Sequence, residues 1–341
     1  MMNEGSLSAL NSSSDSTEKF VCQDVASLGL KMAPFPSAVL FRSVSVVLCV
    51  FNSVLCPLTV AGNILVFMAV LRKVQLRTVA NTSILCLAFT DLMVGVFVQP
   101  SYVVYQASKL TSTPDRFPCV KLLIYSFSGV ICICMSFLTL ILISLERYMA
   151  VFYPYIYVAK VNSKRVILVT VTVWGISIGI LLSVRFLFGI NSNEETGVIS
   201  LVIITNFLVT SCVYFKIFRL VKRCNAAVNA QVNVDTSQHT GSTSESDPPN
   251  QVNSNPREAK ASKTVAVVAG TLFLCFTPTL CATIVDQAGL APRDLLYHVI
   301  YPIAETAVLL NSCVNPGIYV WRNREIRRSL CELLSTCKLS S

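Results

Sequence analysis

Long apolar runs alternate with short polar breaks along this chain. Seven runs, at about 41–71, 80–107, 118–150, 165–188, 198–221, 263–286 and 295–320, each supply the roughly 20 residues that a helix needs to cross a hydrocarbon core. The pattern predicts an all-α membrane protein built as a seven-transmembrane helix bundle. Two polar stretches are longer. Residues 1–40 are mostly Ser-rich and polar and read as a disordered tail. Residues 224–262 hold Asn, Ser, Thr, Gln and Pro with almost no large apolar side chain, so they read as a disordered loop between the fifth and sixth runs. Beyond the last run, Trp321, Ile326, Leu330 and Leu333 recur at near-helical spacing among basic residues. This predicts a short amphipathic helix lying on the membrane surface within 321–341.

Composition agrees with the pattern: 53% of residues are hydrophobic and 13% charged, against about 25% charged in soluble domains. The net charge of +9 is unevenly spread. Arg72, Lys73, Arg77, Lys160, Lys164, Arg165, Lys216, Arg219, Lys222, Arg223, Arg257, Lys260, Lys263, Arg322, Arg324, Arg327 and Arg328 fall on one side of the bundle. Lys109, Arg116, Lys121, Arg185 and Arg293 fall on the other, balanced by acids. Lys/Arg excess marks the cytoplasmic face, so an extracellular N-terminus and a multi-pass chain in the plasma membrane are expected. The basic balance reports topology rather than nucleic-acid binding. Most of the 14 cysteines lie within apolar runs as small packing residues, and only Cys22 and Cys119 clearly face the outside. Residues 1–20 lack the apolar segment of a signal peptide, so the first run is expected to direct insertion. Asn11-Ser12-Ser13 is a glycosylation acceptor pattern. Cys331 and Cys337 stand where a palmitoyl chain would anchor the amphipathic helix to membrane lipid. Thr236, Ser237, Thr240, Ser242, Thr243, Ser244 and Ser246 form either a phosphorylation cluster or plain linker.

Polar side chains inside the apolar runs are expensive and mark function by default. Asn63 lies in the first run, Asp91 in the second, Glu146-Arg147-Tyr148 at the inner end of the third, and Asn311 and Asn315 in the seventh, followed by Pro316 and Tyr319. Pro278 interrupts the sixth. Asn311 and Asn315 are four apart and share a helix face. Ser136 precedes Arg147 by eleven residues, about 16 Å along a helix, which sets it near mid-depth with Asp91. One carboxylate, one hydroxyl and two amides make either an oxygen cage for a monovalent cation or a structural polar cluster. Arg147 beside Glu146 makes either a breakable ion pair, as a switch requires, or a snorkelling interfacial arginine.

Taken together, these residues resemble the rhodopsin-like receptors. The matches are Gly62-Asn63-Ile64-Leu65-Val66, Leu87 to Asp91, Glu146-Arg147-Tyr148, Trp174, Tyr214, Cys275 to Pro278, and Asn315-Pro316-Gly317-Ile318-Tyr319, in that order across about 41–335. The resemblance implies a receptor for an extracellular small-molecule, lipid or peptide ligand that activates a heterotrimeric G protein, with arrestin and receptor kinases as further partners. It implies a switch made of Glu146, Arg147, Tyr148, Tyr214, Phe276, Pro278, Asn315, Pro316 and Tyr319. It also implies a sodium ion as allosteric modulator at Asp91, Ser136, Asn311 and Asn315, and no required cofactor. The sequence departs from the family in three places: Phe276 replaces the usual Trp, Asn206 stands near the usual fifth-span proline, and residues 189–197 contain no cysteine. These departures look like the melanocortin, cannabinoid, lysolipid and adenosine receptor group. Ser101, Leu122 and Ser126, however, replace the acidic residues of melanocortin receptors. Cys22 and Cys119 are candidates for a substitute bridge.

For the ligand, Gly129 lies eighteen residues before Arg147, five helical turns, on the same inner face. Amine receptors carry aspartate there, so a typical monoamine site is not expected. Leu309 stands where opsins carry their retinal-binding lysine. The charged candidate is Glu305, about 15 Å above Asn315, set either to hold a cationic group or to pair with Arg185 or Arg293. Gln99, Tyr102, Tyr105, Val130, Met135, Phe276, Thr283 and Tyr301 are expected around it by the same resemblance. A secondary transporter is the alternative, but it would show paired broken helices in related halves, and this sequence shows only conventional kinks. No enzyme is expected, since His239 and His298 leave no buried histidine for a metal site and no Ser-His or paired-aspartate arrangement occurs.

Overall fold

A computed structural model describes residues 39–111, 119–188, 201, 204–205, 208–219 and 256–339, without the side chains of 119, 256–266, 334 and 336–339. Asn11, Cys22, Asn206, residues 189–197 and the hydroxyl-rich segment 236–246 lie outside the described residues, as do the side chains of Cys119 and Cys337. The helices are α1 (Val39–Arg72), α2 (Val79–Thr111), α3 (Cys119–Phe152), the short α4 (Pro154–Lys160), α5 (Ser163–Phe188), α6 (described over 208–219), α7 (Pro256–Gln287), α8 (Tyr301–Arg322) and α9 (Arg324–Leu339). Seven of them take the places of the seven apolar runs. Among the described residues, α1, α2, α3, α5 and α7 contain stretches long and apolar enough to cross a membrane. α8 is the polar exception, carrying Glu305, Asn311, Ser312 and Asn315.

Two boundaries differ from expectation. α7 starts at Pro256, inside the stretch expected to be loop. Proline suits the first turn of a helix, and the following Arg257, Glu258, Ala259 and Lys260 are strong helix formers. α2 runs on to Thr111, so Lys109 is a helical residue with only 2% exposure rather than a loop residue. α2 also contains a π turn at Val94–Val98, and a second precedes α8 at Leu296–Ile300.

The apolar faces divide cleanly. α5 buries 17% of its apolar window and α2 buries 67%, so α5 lies at the rim and α2 in the centre. Val47, Val50, Val54 and Leu58 of α1 and Ile167, Leu168, Ile176 and Ile180 of α5 point outward, as lipid-facing positions do. Polar side chains then join the helices, as is usual where lipid offers no hydrophobic force between spans. Asn52 of α1 donates to Thr306 Oγ1 of α8 at 3.0 Å, and Tyr102 of α2 donates to the Pro302 carbonyl at 2.9 Å. Trp174 of α5 donates its indole N–H to Thr139 Oγ1 of α3 at 2.9 Å.

The Gly62-Asn63 pair has a specific structural use. Pro316 has no N–H, so the carbonyl of Ser312 four residues earlier loses its helical donor. Asn63 Nδ2 supplies the replacement at 3.2 Å. Gly62 lets the proline ring come close, because a Cβ there would stand 3.1 Å from Pro316 Cγ. Asn63→Ala leaves that buried carbonyl unpaired and is expected to destabilise the protein by about 1–3 kcal/mol. A lowered thermal midpoint of the purified protein is the measurement, and an unchanged midpoint would remove the assignment.

α9 returns along the end of the bundle that carries Arg147. Asn323 breaks the helix with an extended backbone and caps α9 by accepting from Glu325 N at 3.1 Å. Ile326 and Leu330 are buried against the main core, and Ser329 Oγ donates to the Ala69 carbonyl of α1 at 3.0 Å. Lys73 and Arg328 flank Glu332 at 2.6 and 3.3 Å. The hydrogen bond from Lys73, with the charge of both cations, holds this exposed carboxyl below its ordinary range. Its small stabilisation is therefore present near neutral pH and fades as pH falls through the lowered value, weakened throughout by solvent screening.

Candidate ligand cavity and switch sites

A cavity of about 320 Å³ opens between α2, α3, α7 and α8, within the size range of small-molecule sites. Its α3 wall is one helical face: Leu122, Tyr125, Ser126, Gly129, Val130, Ile133 and Ser136 recur three and four apart. Val94 and Val98 close it on α2, Leu272, Phe276 and Thr279 on α7, and Tyr301, Glu305, Val308 and Leu309 on α8. Gly129 keeps space open at its turn, since a Cβ there would meet only Val98 Cγ1 at 3.8 Å and Tyr125 at 4.0 Å.

Of the expected lining residues, Gly129, Val130, Phe276, Tyr301 and Glu305 meet in this cavity. The others do not. Gln99 and Tyr102 are fully buried beside it rather than in its wall, and Tyr105 stacks on the far side of Tyr125 at 6.0 Å between centroids. The π turn ends just before Gln99 and adds one residue without a matching advance of the face, which shifts the rest of α2. Met135 packs on Trp174 and Cys86 towards α5. Thr283 is exposed, and Thr279, one turn away, takes its place.

Glu305 is the carboxylate of the cavity. The Tyr125 hydroxyl faces it, and the charge that faces it is Lys109 rather than Arg185 or Arg293. The Lys109 ammonium lies 4.8 Å from the Tyr105 ring centre. A second carboxylate, Asp286 of α7, accepts from Tyr301 at 3.1 Å and from Tyr297 at 3.4 Å. On the α5 side, Arg185 is 5% exposed, lies over the Phe127 ring at 4.1 Å and donates through Nη2 to Ser126 Oγ at 3.3 Å.

Below the cavity two of the four residues expected as a cage, Asp91 and Asn315, are joined. Asn315 Nδ2 donates to Asp91 Oδ2 at 2.7 Å, and the Ser312 hydroxyl faces the same carboxylate. Ser136, Asn311 and Ser312 line the cavity floor above them. Asp91 Oδ1, Asn311 Oδ1 and Asn315 Oδ1 are buried with no donor within hydrogen-bond distance among the described residues. Buried oxygens left without protons to accept fit a small cation or ordered water. Ser312 belongs to this group but was not singled out by the sequence. Tyr319 is buried below, its ring in the main core.

At the far end of α3, Arg147 is 1% exposed and pairs side-on with Glu146, with Nε to Oε2 at 2.9 Å and a second contact from Nη2 to Oε1. Ser83 of α2 donates to Glu146 Oε2 at 3.2 Å, and Tyr157 of α4 donates to Oε1 at 2.5 Å. The pair is therefore buried and collared, not a snorkelling surface arginine. Tyr157 is a participant that the sequence did not disclose. Tyr148 packs on Phe152, with centroids 4.6 Å apart, against Val213 and Ile217 of α6, and Tyr214 lies beside Ser144 and Arg147. Phe276 meets Phe137 edge-on at 4.5 Å between cavity and core, while Pro278 sits inside α7, five residues before Thr283.

A bundle of membrane-length helices with a polar cluster at mid-bundle, a buried arginine pair at one end and an apolar cavity at the other is the framework of a G-protein-coupled receptor. The pattern of the 7 transmembrane receptor (rhodopsin family) matches residues 62–319, and the chain belongs to that family. It is a multi-pass membrane receptor with an extracellular ligand and a G protein as partner, not an enzyme or a transporter. It is 31% identical over 322 residues to the histamine H2 receptor of Cavia porcellus, covering 88% of this chain and 82% of that one. The Homo sapiens histamine H2 receptor is also 31% identical, over 317 residues, 87% of this chain and 81% of its own. The alpha-1A adrenergic receptor of Bos taurus is 25% identical over 309 residues, 81% of this chain and 65% of its own. These relatives bear amine names, whereas the narrower likeness drawn from the sequence was to melanocortin, cannabinoid, lysolipid and adenosine receptors.

Proposed function

We propose that the receptor takes a small ligand with a cationic group and an apolar body into the cavity between α2, α3, α7 and α8, from the extracellular side. The observation that carries this is Glu305, a carboxylate in an otherwise mostly apolar wall, oriented by Tyr125. The ligand cation shares that carboxylate with Lys109, and its body fills the space that Gly129 leaves open. Histamine, named for the relatives, is an amine, which agrees with a cationic group. The aspartate that amine receptors carry at the place of Gly129 is missing, so the anchoring charge has moved from α3 to α8.

Binding is linked to the G protein through two further elements. A sodium ion held by Asp91, Ser136, Asn311 and Asn315, with Ser312, favours the closed bundle. The three donor-less oxygens and the Asp91 carboxylate support this reading, the ion supplying the positive charge that they lack. At the other end, breaking the Glu146–Arg147 pair frees Arg147 for the G protein. The basic end of the bundle is the cytoplasmic one, the N-terminus is extracellular, and the receptor works in the plasma membrane. Arrestin and receptor kinases use the same face, Cys331 is exposed on α9 for acylation, and Asn11 is the glycan acceptor.

Glu305→Gln is the test. It removes the charge but keeps a group of the same size, so a cationic agonist should lose at least about tenfold in affinity, the order expected when a buried charge loses its partner. Agonist competition binding reads this directly, and equal affinity in the variant would place the cation elsewhere.

A further inference from the structure

The cavity is long and narrow, and it is polar at both ends. Along α3 it runs from Leu122 to Ser136, fourteen residues apart, or about 21 Å of helix. Its volume of about 320 Å³ holds on the order of ten atoms at about 30 Å³ each, the share of a water molecule in the liquid. Spread over that length, the atoms stand almost in single file. Glu305 is near the upper end, and Val98, Val130, Ile133 and Leu309 line the middle. The floor is polar again. Ser136 and Asn311 line it and are 9% and 4% exposed. Asn311 Oδ1 accepts no hydrogen bond among the described residues. Ser312 lies beside them with its hydroxyl turned to Asp91, which leaves Asn311 and Ser136 to face the cavity. An amide offers its oxygen or, after a half-turn, its N–H. A hydroxyl both donates and accepts, so it suits this floor in either setting.

We infer that the ligand is two-ended: an unbranched aliphatic amine whose far end carries a hydroxyl, with its ammonium at Glu305 and the hydroxyl at Asn311 and Ser136. The inference rests on the reading of Glu305 as the cation site and adds a second polar site to it. Glu305 precedes Asn311 by six residues and Ser312 by seven, about 9–10.5 Å along α8. An extended chain advances about 3.3–3.6 Å for every three bonds, so roughly nine bonds join the two sites. A chain of about eight carbons between nitrogen and oxygen has that length. A plain amine would set a methyl group against the unpaired Asn311 amide. A shorter amino alcohol would leave its hydroxyl in the apolar middle. The sodium ion assigned to this floor uses the same Asn311 side chain, so ion and hydroxyl exclude each other.

Matched pairs of equal heavy-atom count test this: aminobutanol against pentylamine, and aminooctanol against nonylamine, each alcohol with its hydroxyl at the far end. Each is titrated against the thermal midpoint of the purified full-length receptor in lipid nanodiscs, in potassium chloride so that no sodium competes. Aminooctanol should stabilise the native receptor at a concentration about fivefold or more below nonylamine, the size of one net hydrogen bond. Aminobutanol should show no such advantage over pentylamine. Asn311→Leu should erase the advantage of aminooctanol and leave the response to nonylamine in place. Ser136→Ala should reduce it, and it keeps the asparagine, so it answers for any misfolding of the first variant. An advantage that is absent from the longer pair, equal in both pairs, or unchanged in both variants would overturn the hydroxyl site. If the amines still respond to Glu305→Gln, the cation reading survives that failure. If no probe responds to Glu305→Gln, both readings fall together.

Discussion

Glu146→Gln should raise ligand-independent nucleotide exchange by at least about tenfold. The Glu146–Arg147 pair is nearly buried, and removing one member of a buried pair costs about 3–5 kcal/mol in the state that contains it. That state is the closed one seen here. Any part of the cost not shared by the open state shifts the balance towards opening, and each 1.4 kcal/mol is about tenfold. The Ser83 and Tyr157 contacts to Glu146, made to its two different oxygens, soften the effect only in part, since the single glutamine oxygen still accepts from one of them. Tyr157→Phe should therefore act in the same direction and more weakly. Arg147→Ala should do the reverse and bring agonist-stimulated exchange down to background, because the side chain that faces the G protein is gone. Exchange on a purified G protein in receptor-containing membranes measures all three. Equal basal rates in the native chain and Glu146→Gln would mean that the pair does not hold the closed state.

The second large effect concerns Asp91. In the native receptor, agonist affinity should fall as sodium replaces choline at fixed ionic strength, by a factor of roughly 5–150, the usual range of coupling between two sites. In Asp91→Asn the curve should be flat. The substitution leaves a group of the same shape with one acceptor oxygen for Asn315 Nδ2, while the charge that would hold the ion is lost. Ser312→Ala should reduce the sodium response without abolishing it. A sodium response that persists in Asp91→Asn would leave the donor-less oxygens of Asn311 and Asn315 to ordered water instead.

The residues that were legible in the sequence are those whose burial in lipid is costly. Asp91, Asn63, Arg147, Asn311, Asn315 and Glu305 stand out against apolar runs because no bilayer helix carries such groups without a reason. Ser312 and Thr279 were missed because small hydroxyls cost little and usually satisfy themselves on the preceding turn, so nothing marks them out. Tyr157 lies in a segment that looks like any short loop, and its role depends on α4 folding back under α3. Lys109 lies just past the apolar run that ends near 107, so the sequence sets it in a loop. Its long apolar stem lets a helix carry it further in, beside Tyr105 and Glu305. The resemblance sets Gln99, Tyr102 and Tyr105 at the cavity wall, but the π turn at Val94–Val98 shifts the helical face that follows it. Met135 shows a different limit: at neighbouring positions of α3, Ser136 faces the cavity and Met135 faces α5, a choice that an all-apolar stretch does not reveal.

The attachment of α9 carries a mechanical meaning. Ser329 and Glu332 fasten it to Ala69 and Lys73 of α1 by polar contacts, while its contact with the end of α8 is apolar and the chain between them is the single extended residue Asn323. It therefore belongs with the first helix as one rigid piece, and the end of the seventh can swivel against it as on a pivot. Spin labels on α1 and α9 should keep a constant separation when agonist binds, while a label near Tyr319 should move relative to both.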